Sequence, residues 1–529
     1  LFFDRGKDLD LRWSPDGTRL AFVSNRGDHA FVGIFTAKNK PLSFLSPSTN
    51  YDFSPRWSPD GARIAFVRRP GDGGAPEPLL KEIPHPWSLW VANANDETAH
   101  KAWQSPNTLA GSYPDVEGEA NLHWAAGDRL VFLATLDNWE HLYSVPSTGG
   151  AAVLLTPGAY MVEHVAESRD LKSVIFDANT GTTKDDDDRR HLFRVAVDHA
   201  GPVALTSGTG IEWTPVPAGA DRVAFVQTGA QHPPEAAVIA MDGSHKTMLN
   251  AGALPADFPV NALIAPLSVS FQAADGTTVH GQLFDNPAAS GKKPGIIFVH
   301  GGPPRQMLLG WHYMDYYSNA YAANQYLAAH GFLVLSVNYR LGIGYGRAFH
   351  HPDHGGPAGA SEYQDVVAGA HFLQKRPNID AGRIGMWGGS YGGYLTALAL
   401  ARNSDIFKAG VDFHGVHDWS RGFDGDYVGK AQVRYEKGDR EEAMRVAWFS
   451  SPDSSIDTWK SPVLLIQGDD DRNVRFAETV DLARRLDEHH VPYDELVLPD
   501  EIHGFLRHDS WLRADSATAE YFARQFGVK

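Results

Sequence analysis

The sequence predicts a β-propeller of at least five blades joined to a doubly wound α/β domain with a mostly parallel sheet. Three observations carry this. A turn-plus-strand unit recurs five times in the first half. Apolar strands alternate with helical stretches from about Ala265, and a G-x-S-x-G turn sits between one such strand and a helix. At 529 residues, 43% hydrophobic and 21% charged, the chain is long enough for more than one domain and has the composition of a folded protein. The change of pattern divides it into a propeller over 1–260 and an α/β domain over 261–529.

The repeats come first along the chain. Residues 11–22 read LRWSPDGTRLAF and residues 55–66 read PRWSPDGARIAF, with weaker echoes ending at Phe132, Phe176 and Phe225. The closing phenylalanines 22, 66, 132, 176 and 225 are 44, 66, 44 and 49 residues apart. A Pro-Asp-Gly turn followed by alternating apolar residues is a tight turn feeding a strand, and repeats of about 40–50 residues built this way are propeller blades. Further strands follow at 88–93 (SLWVAN), 141–146 (HLYSVP) and 191–197 (HLFRVAV). Five anchors make five blades a minimum, and a blade already under way at residue 1 would fit an absent N-terminal segment. The 66-residue step holds an insertion, around Arg69–Pro86 or Thr98–Glu119, long enough to reach over a neighbouring surface.

In the second half, Leu267–Gln272 and Val279–Asp285 read as a hairpin around Asp275-Gly276. Buried-type runs follow at Gly295–Val299, Phe332–Val337, Ile384–Trp387, Ala409–Phe413 and Val463–Gln467. Helical stretches separate several of them, at Ser318–His330, Ser361–Arg376, Gly393–Arg402 and Ala477–His489. Continuous apolar strands alternating with helices indicate a sheet covered on both faces.

Gly388-Gly389-Ser390-Tyr391-Gly392 lies directly between the strand Ile384–Trp387 and the following helix, the context of the nucleophile elbow of α/β-hydrolases. A serine hydroxyl is a weak nucleophile and needs a base held by a third group, which in this fold follows in the order Ser, acid, His. Asp469, Asp470 and Asp471 follow the strand Val463–Gln467, and spacing alone does not choose among them. His503 follows Leu496–Pro499 with Gly504 beside it to permit an unusual turn. It is preferred over His489 and His490, which end a polar helix, and over His508. The stretch Phe298-Val299-His300-Gly301-Gly302-Pro303 occupies the strand-end position of an oxyanion loop, with the N–H groups of Gly302 and Tyr391 as donors.

Other classes are disfavoured. The balance of 47 basic against 64 acidic residues, net −17, argues against nucleic acid and anionic membrane surfaces as partners. No stretch approaches the ~18 uninterrupted apolar residues of a membrane span, so no membrane insertion is expected. The absence of cysteine removes disulfides and thiolate chemistry. His350-His351-Pro352-Asp353-His354 has a metal-like composition but sits in a Gly/Pro loop, and no metal site and no cofactor is assigned. Asp185–Asp188 reads as a solvated hairpin tip. The chain opens Leu1-Phe2-Phe3-Asp4, with neither an initiator Met nor a secretion signal, so a cytoplasmic and a periplasmic or secreted location both stay open.

Taken together, the WSPDG repeats, FVHGGP, the NYR…GYG stretch from Asn338 to Gly346, GGSYGGY, GDDDRNV and DEIHGF resemble the prolyl oligopeptidase family of serine peptidases. The closer likeness is to its acylaminoacyl-peptidase and dipeptidyl-peptidase branches. The resemblance implies a propeller capping the hydrolase domain, with short peptides hydrolysed in the cavity between them. It selects Asp471 as the acid. It further implies that Asn473 binds a substrate carbonyl and that Tyr391, Val416, Trp419 and Val474 line an apolar pocket. The sequence departs from the pattern at His300, where prolyl oligopeptidases place a tyrosine hydroxyl, and at Gln467, where many relatives have histidine. Glu117 and Glu119 stand in place of the adjacent glutamates of the dipeptidyl branch, and Gly422 falls near a pocket-walling tyrosine. A carboxylesterase acting on small acyl esters with the same triad is the alternative. Exposed blade edges would allow a homo-oligomer.

Overall fold

The computed structural model describes residues 2, 4–74, 77–288, 291–423 and 437–528. Among the described residues the first half forms five groups of four antiparallel strands, the blades, running from Lys7 to Phe44, Asn50 to Gln104, His123 to Leu154, Val162 to Ala204 and Ile211 to Met248, with the first two joined into one sheet by a parallel Ala30–Tyr51 pairing. Each of the five repeat phenylalanines lies in the second strand of its blade and is buried. The WSPDG turn works through its serine and aspartate. Ser14 Oγ donates to Asp16 (2.6 Å) and Ser58 Oγ to Asp60 (2.5 Å), while the serine N–H groups reach Arg19 O and Arg63 O at 2.8 Å. The weaker echo repeats this, with Ser168 Oγ on Asp170 at 2.7 Å. A side-chain turn of this kind fixes the reversal before the strand pairs.

The long step in the repeat has two parts, one between Pro70 and Ser88 inside the second blade and one between Gln104 and His123. Both reach the α/β domain. Glu82 pairs with Arg347, and Asp115 lies 3.4 Å from both His350 and His351.

The α/β domain is an eight-stranded sheet. Its strands are β1 (Leu267–Gln272), β2 (Thr278–Phe284), β3 (Lys293–Val299), β4 (Leu333–Asn338), β5 (Ile379–Gly389), β6 (Phe407–Phe413), β7 (Val463–Gly468) and β8 (Tyr493–Leu498), in the order β1-β2-β4-β3-β5-β6-β7-β8. β2 is antiparallel to both neighbours and the strands from β4 to β8 are parallel. The helices are α1 (Asp315–Ala329), α2 (Arg347–His350), α3 (Tyr363–Gln374), α4 (Tyr391–Arg402), α5 (Lys437–Phe449), α6 (Phe476–Glu488) and α7 (His508–Phe526). Side chains of α3, α4 and α6 form the core on one face of the sheet, and those of α1 and α7 form it on the other. The burial of β3 to β7 on both faces explains their unbroken apolar sequence.

Two loops of the α/β domain hold the propeller. From the segment after β3, Gln306 Nε2 donates to Asp187 O (2.8 Å) and Tyr313 Oη to buried Glu163 (3.0 Å). From the segment after β4, Gly344 O accepts from Asn179 (2.7 Å) and Tyr345 Oη donates to Asp188. Asp188 also receives Ser268 Oγ at 3.1 Å. The expected solvated tip at 185–188 is therefore corrected. Lys184–Asp188 is a short 3-10 helix with Asp186 and Asp188 buried, because Asp188 is an acceptor for the other domain. Among the described residues no helix is long and apolar enough to cross a membrane.

Candidate active site

β5 runs into α4 through Ser390, whose φ of 59° and ψ of −118° are strained for a residue with a side chain. The turn is held by Ser390 N–H on Phe413 O at 2.9 Å. Its glycines are sterically required. A Cβ at Gly388 would lie 2.4 Å from Val299 O, and one at Gly392 would lie 2.2 Å from the same oxygen. Ser390 is thereby lifted above the sheet end at the start of α4, where first-turn amides have no intrahelical acceptor and the helix dipole favours negative charge.

The loops after β7 and β8 bring Asp471 to His503. The Asp471 Oδ2 to His503 Nδ1 distance is 2.7 Å, and Asp471 Oδ1 accepts the N–H groups of Asn473 (2.8 Å) and Val474 (3.0 Å). Burial of this carboxylate is tolerable because every contact is a donor. The other two aspartates are used differently. Asp469 accepts Asp500 N–H at 2.7 Å, and Asp470 pairs with Arg472 in solvent. The positive φ angles of the His503 loop fall on Asp500 (62°) and Phe505 (25°), not on Gly504, which corrects the role expected for that glycine.

The loop after β3 abuts the elbow. A Cβ on Gly301 would lie 3.0 Å from Ser390 Cβ and 2.7 Å from Gly389 O, and Gly302 takes φ +116°. His300, at the position of the hydroxyl-bearing tyrosine, faces the interior instead. Its ring stacks on Tyr339 at 4.4 Å and Nδ1 lies 2.9 Å from Gly301 O. Burial pushes its pKa down to about 4, so the ring is a neutral support for the loop.

Tyr391 packs against Tyr394 and Trp419, with ring centroids 5.0 and 5.8 Å away, and its hydroxyl donates to buried Glu362 at 2.8 Å. Trp419 and Val416 are half-buried beside this group, Val474 is buried and Asn473 is exposed. Gly422 lies in the 3-10 helix Trp419–Phe423, next to residues 424–436, which are outside the described residues. Gln467 is buried and donates to Val474 O at 2.9 Å, bracing the Asp471 loop.

Several neighbours of this site carry no local sequence signal. His414 packs on His503 (centroids 4.2 Å) and its Nε2 meets Tyr316 Oη at 2.9 Å. Burial and then the nearby His503 hold His414 well below the usual histidine range. His417, fully buried, bonds Asp412 at 2.7 Å. Burial alone would lower its pKa, but Asp412 and neighbouring carboxylates raise it to about 9. None of these stands out in the sequence, because each depends on residues brought together by the sheet.

An acid after β7, an imidazole after β8 and a strained serine after β5 of one sheet, beside glycine-rich amides, can support nucleophilic acyl transfer. Comparison with known proteins bears on which. Residues 318–529 match the prolyl oligopeptidase family. Residues 88–225, a part of the propeller, match the dipeptidyl peptidase IV N-terminal region. Dipeptidyl aminopeptidase BIII of Pseudoxanthomonas mexicana is 29% identical over 247 residues, covering 44% of this chain and 33% of that protein. Dipeptidyl peptidase 8 of Homo sapiens is 30% identical over 272 residues, covering 48% and 27%. The chain thus spans about a third of the length of the curated relatives it matches. A solved puromycin-hydrolyzing peptidase of Mycobacterium tuberculosis superposes with a TM-score of 0.77 at 21% identity, over 98% of this chain and 78% of that one. That similarity establishes a shared fold.

Proposed function

We propose that this protein is a serine peptidase that releases short N-terminal units from peptides, with 1–260 as a propeller gate and 261–529 as the catalytic domain. The observation that carries the reading is the Asp471–His503 hydrogen bond of 2.7 Å next to the Ser390 elbow, within the stretch 318–529 that matches the prolyl oligopeptidase family. Ser390 Oγ attacks the peptide carbonyl as His503 Nε2 takes its proton. The oxyanion is held by Gly302 and Tyr391 N–H. His503 then protonates the leaving amine, and water deacylates the enzyme with His503 again as base. Asp471 holds the imidazole with its proton on Nδ1. The apolar side of the acyl group meets Tyr391, Trp419, Val416 and Val474, and Asn473 is placed to bind a substrate carbonyl.

The aminopeptidase direction is supported by the named relatives and by exposed Glu117 and Glu119 on the propeller insertion, which would receive an ammonium group. Glu119 lines an interdomain cavity of about 510 Å³ together with Arg69, Glu82, Asp115, Arg347 and His351. Digestion of a defined peptide library, with and without N-acetylation and read by mass spectrometry, tests this. Release of N-terminal di- or aminoacyl units from unblocked peptides is expected. Cleavage of simple acyl esters with peptides left intact would move the assignment to carboxylesterase.

A further inference from the structure

A second constellation lies where the propeller insertion meets the α/β domain. Asp115 Oδ1 is 3.4 Å from His350 Nε2 and 3.4 Å from His351 Nε2, and the three donor atoms lie within 4.8 Å of one another. The two imidazoles are nearly perpendicular (89°), with centroids 4.4 Å apart.

Each ring is oriented through its other nitrogen. His350 Nδ1 faces Leu341 O at 3.2 Å, a carbonyl that can only accept, so Nδ1 carries a proton, and in the neutral ring the Nε2 lone pair points towards Asp115. His351 Nδ1 faces Glu82 Oε1 at 3.4 Å. A backbone carbonyl or carboxylate behind the imidazole is the outer-shell arrangement of metal-binding histidines. His350 is 7% exposed, and its Nε2 is buried with no hydrogen-bond partner among the described residues. A neutral His350 and the Asp115 carboxylate at 3.4 Å are two acceptors, which need a proton or a cation between them. The two Asp115 distances fit an ion. Ligands about 2.0–2.1 Å from a tetrahedral zinc lie about 3.3 Å from one another. Asp115 and Glu82 make the surroundings anionic, and the neighbouring cation Arg347 is engaged by Glu82.

We propose that Asp115, His350 and His351 bind a zinc-like divalent transition metal that fastens the propeller insertion to the α/β domain, with a fourth position open to the interdomain cavity. Two imidazoles and one carboxylate favour zinc or its late first-row neighbours over calcium or magnesium. The site is separate from Ser390, and the proposal stands or falls independently of the peptidase reading.

The test is titration of the metal-free full chain with Co²⁺, read by its visible absorption, with Zn²⁺ as competitor. One equivalent giving a low-coordinate spectrum displaced by Zn²⁺ is expected. Asp115→Asn and His351→Gln, both at solvent-accessible positions, are each expected to weaken it by about 100-fold or more, and Glu82→Gln by about 10-fold. His503→Ala should leave the spectrum unchanged, which separates this site from the His414, Asp471 and His503 group. The proposal is overturned if no stoichiometric spectrum forms, because the cluster is then a protonated ion pair. It is also overturned if the spectrum survives Asp115→Asn and His351→Gln but is lost in His503→Ala.

Discussion

Replacing Asp471 by asparagine removes a charge while keeping nearly every atom, and the geometry dictates the consequence. Oδ1 receives two backbone N–H groups at 2.8 and 3.0 Å, so the asparagine must keep its carbonyl oxygen there and turn its NH₂ towards His503. His503 Nδ1 must then accept, which moves the imidazole proton to Nε2, the atom needed to deprotonate Ser390. The base is lost although the fold is not. An enzyme working through the wrong tautomer is expected to lose about 10⁴ in kcat, close to 5.5 kcal/mol of transition-state stabilisation. Because the two loop amides remain bonded, Tm should change little. Asp469→Asn keeps its carbonyl for Asp500 N–H and Asp470→Asn alters a solvent pair, so each should stay within a few-fold of wild type. The assay is steady-state hydrolysis of an unblocked dipeptidyl or aminoacyl 4-nitroanilide, with thermal unfolding of each variant. Activity of Asp471→Asn within tenfold of wild type, or equal losses in all three, would refute the reasoning.

Gly392→Ala places a Cβ 2.2 Å from Val299 O and 3.0 Å from His300 O, both backbone, so relief must come from moving β3 or α4. A loss of about 3 kcal/mol in urea unfolding, together with most of the activity, is expected. Tyr391→Phe should cost about 1–3 kcal/mol by leaving the buried Glu362 oxygen unpaired, yet spare kcat, since only the backbone N–H of residue 391 is assigned to the oxyanion. His417, raised to about 9 by Asp412, contributes stability in full below about pH 6.5 and loses it as pH rises through 9. Chemical denaturation at about pH 6 and pH 9.5 should show a decline that shrinks by on the order of 3 kcal/mol in His417→Gln. Part of the remainder would come from His164, which Asp177 raises to about 9 against the opposing effect of burial.

Local patterns were the legible part of this chain. The five phenylalanines mark second strands because a hairpin is encoded by its own turn, with Ser14, Ser58 and Ser168 repeating one hydrogen-bond pattern. The Ser390 elbow was readable for the same reason. The choice among Asp469, Asp470 and Asp471 was not local. It came from resemblance, and the geometry now gives each aspartate a different partner. Helix α7 falls outside the elements the sequence predicts, although Trp511, Ala514, Thr518, Tyr521 and Phe522 recur at helical steps along its buried face. Asp188, Glu362, His414 and the Asp115–His350–His351 group were illegible in principle, because each acquires its partners only when the two halves of the chain, or distant strands, come together.

The central claim, that Ser390 is an activated nucleophile, is tested most directly by treating the purified chain with a fluorophosphonate and mapping the adduct by mass spectrometry. One adduct per chain on Ser390, slowed by orders of magnitude in Asp471→Asn and absent in Ser390→Ala, is the predicted result. An unlabelled wild-type chain, or an adduct on another residue that persists in Ser390→Ala, would contradict it.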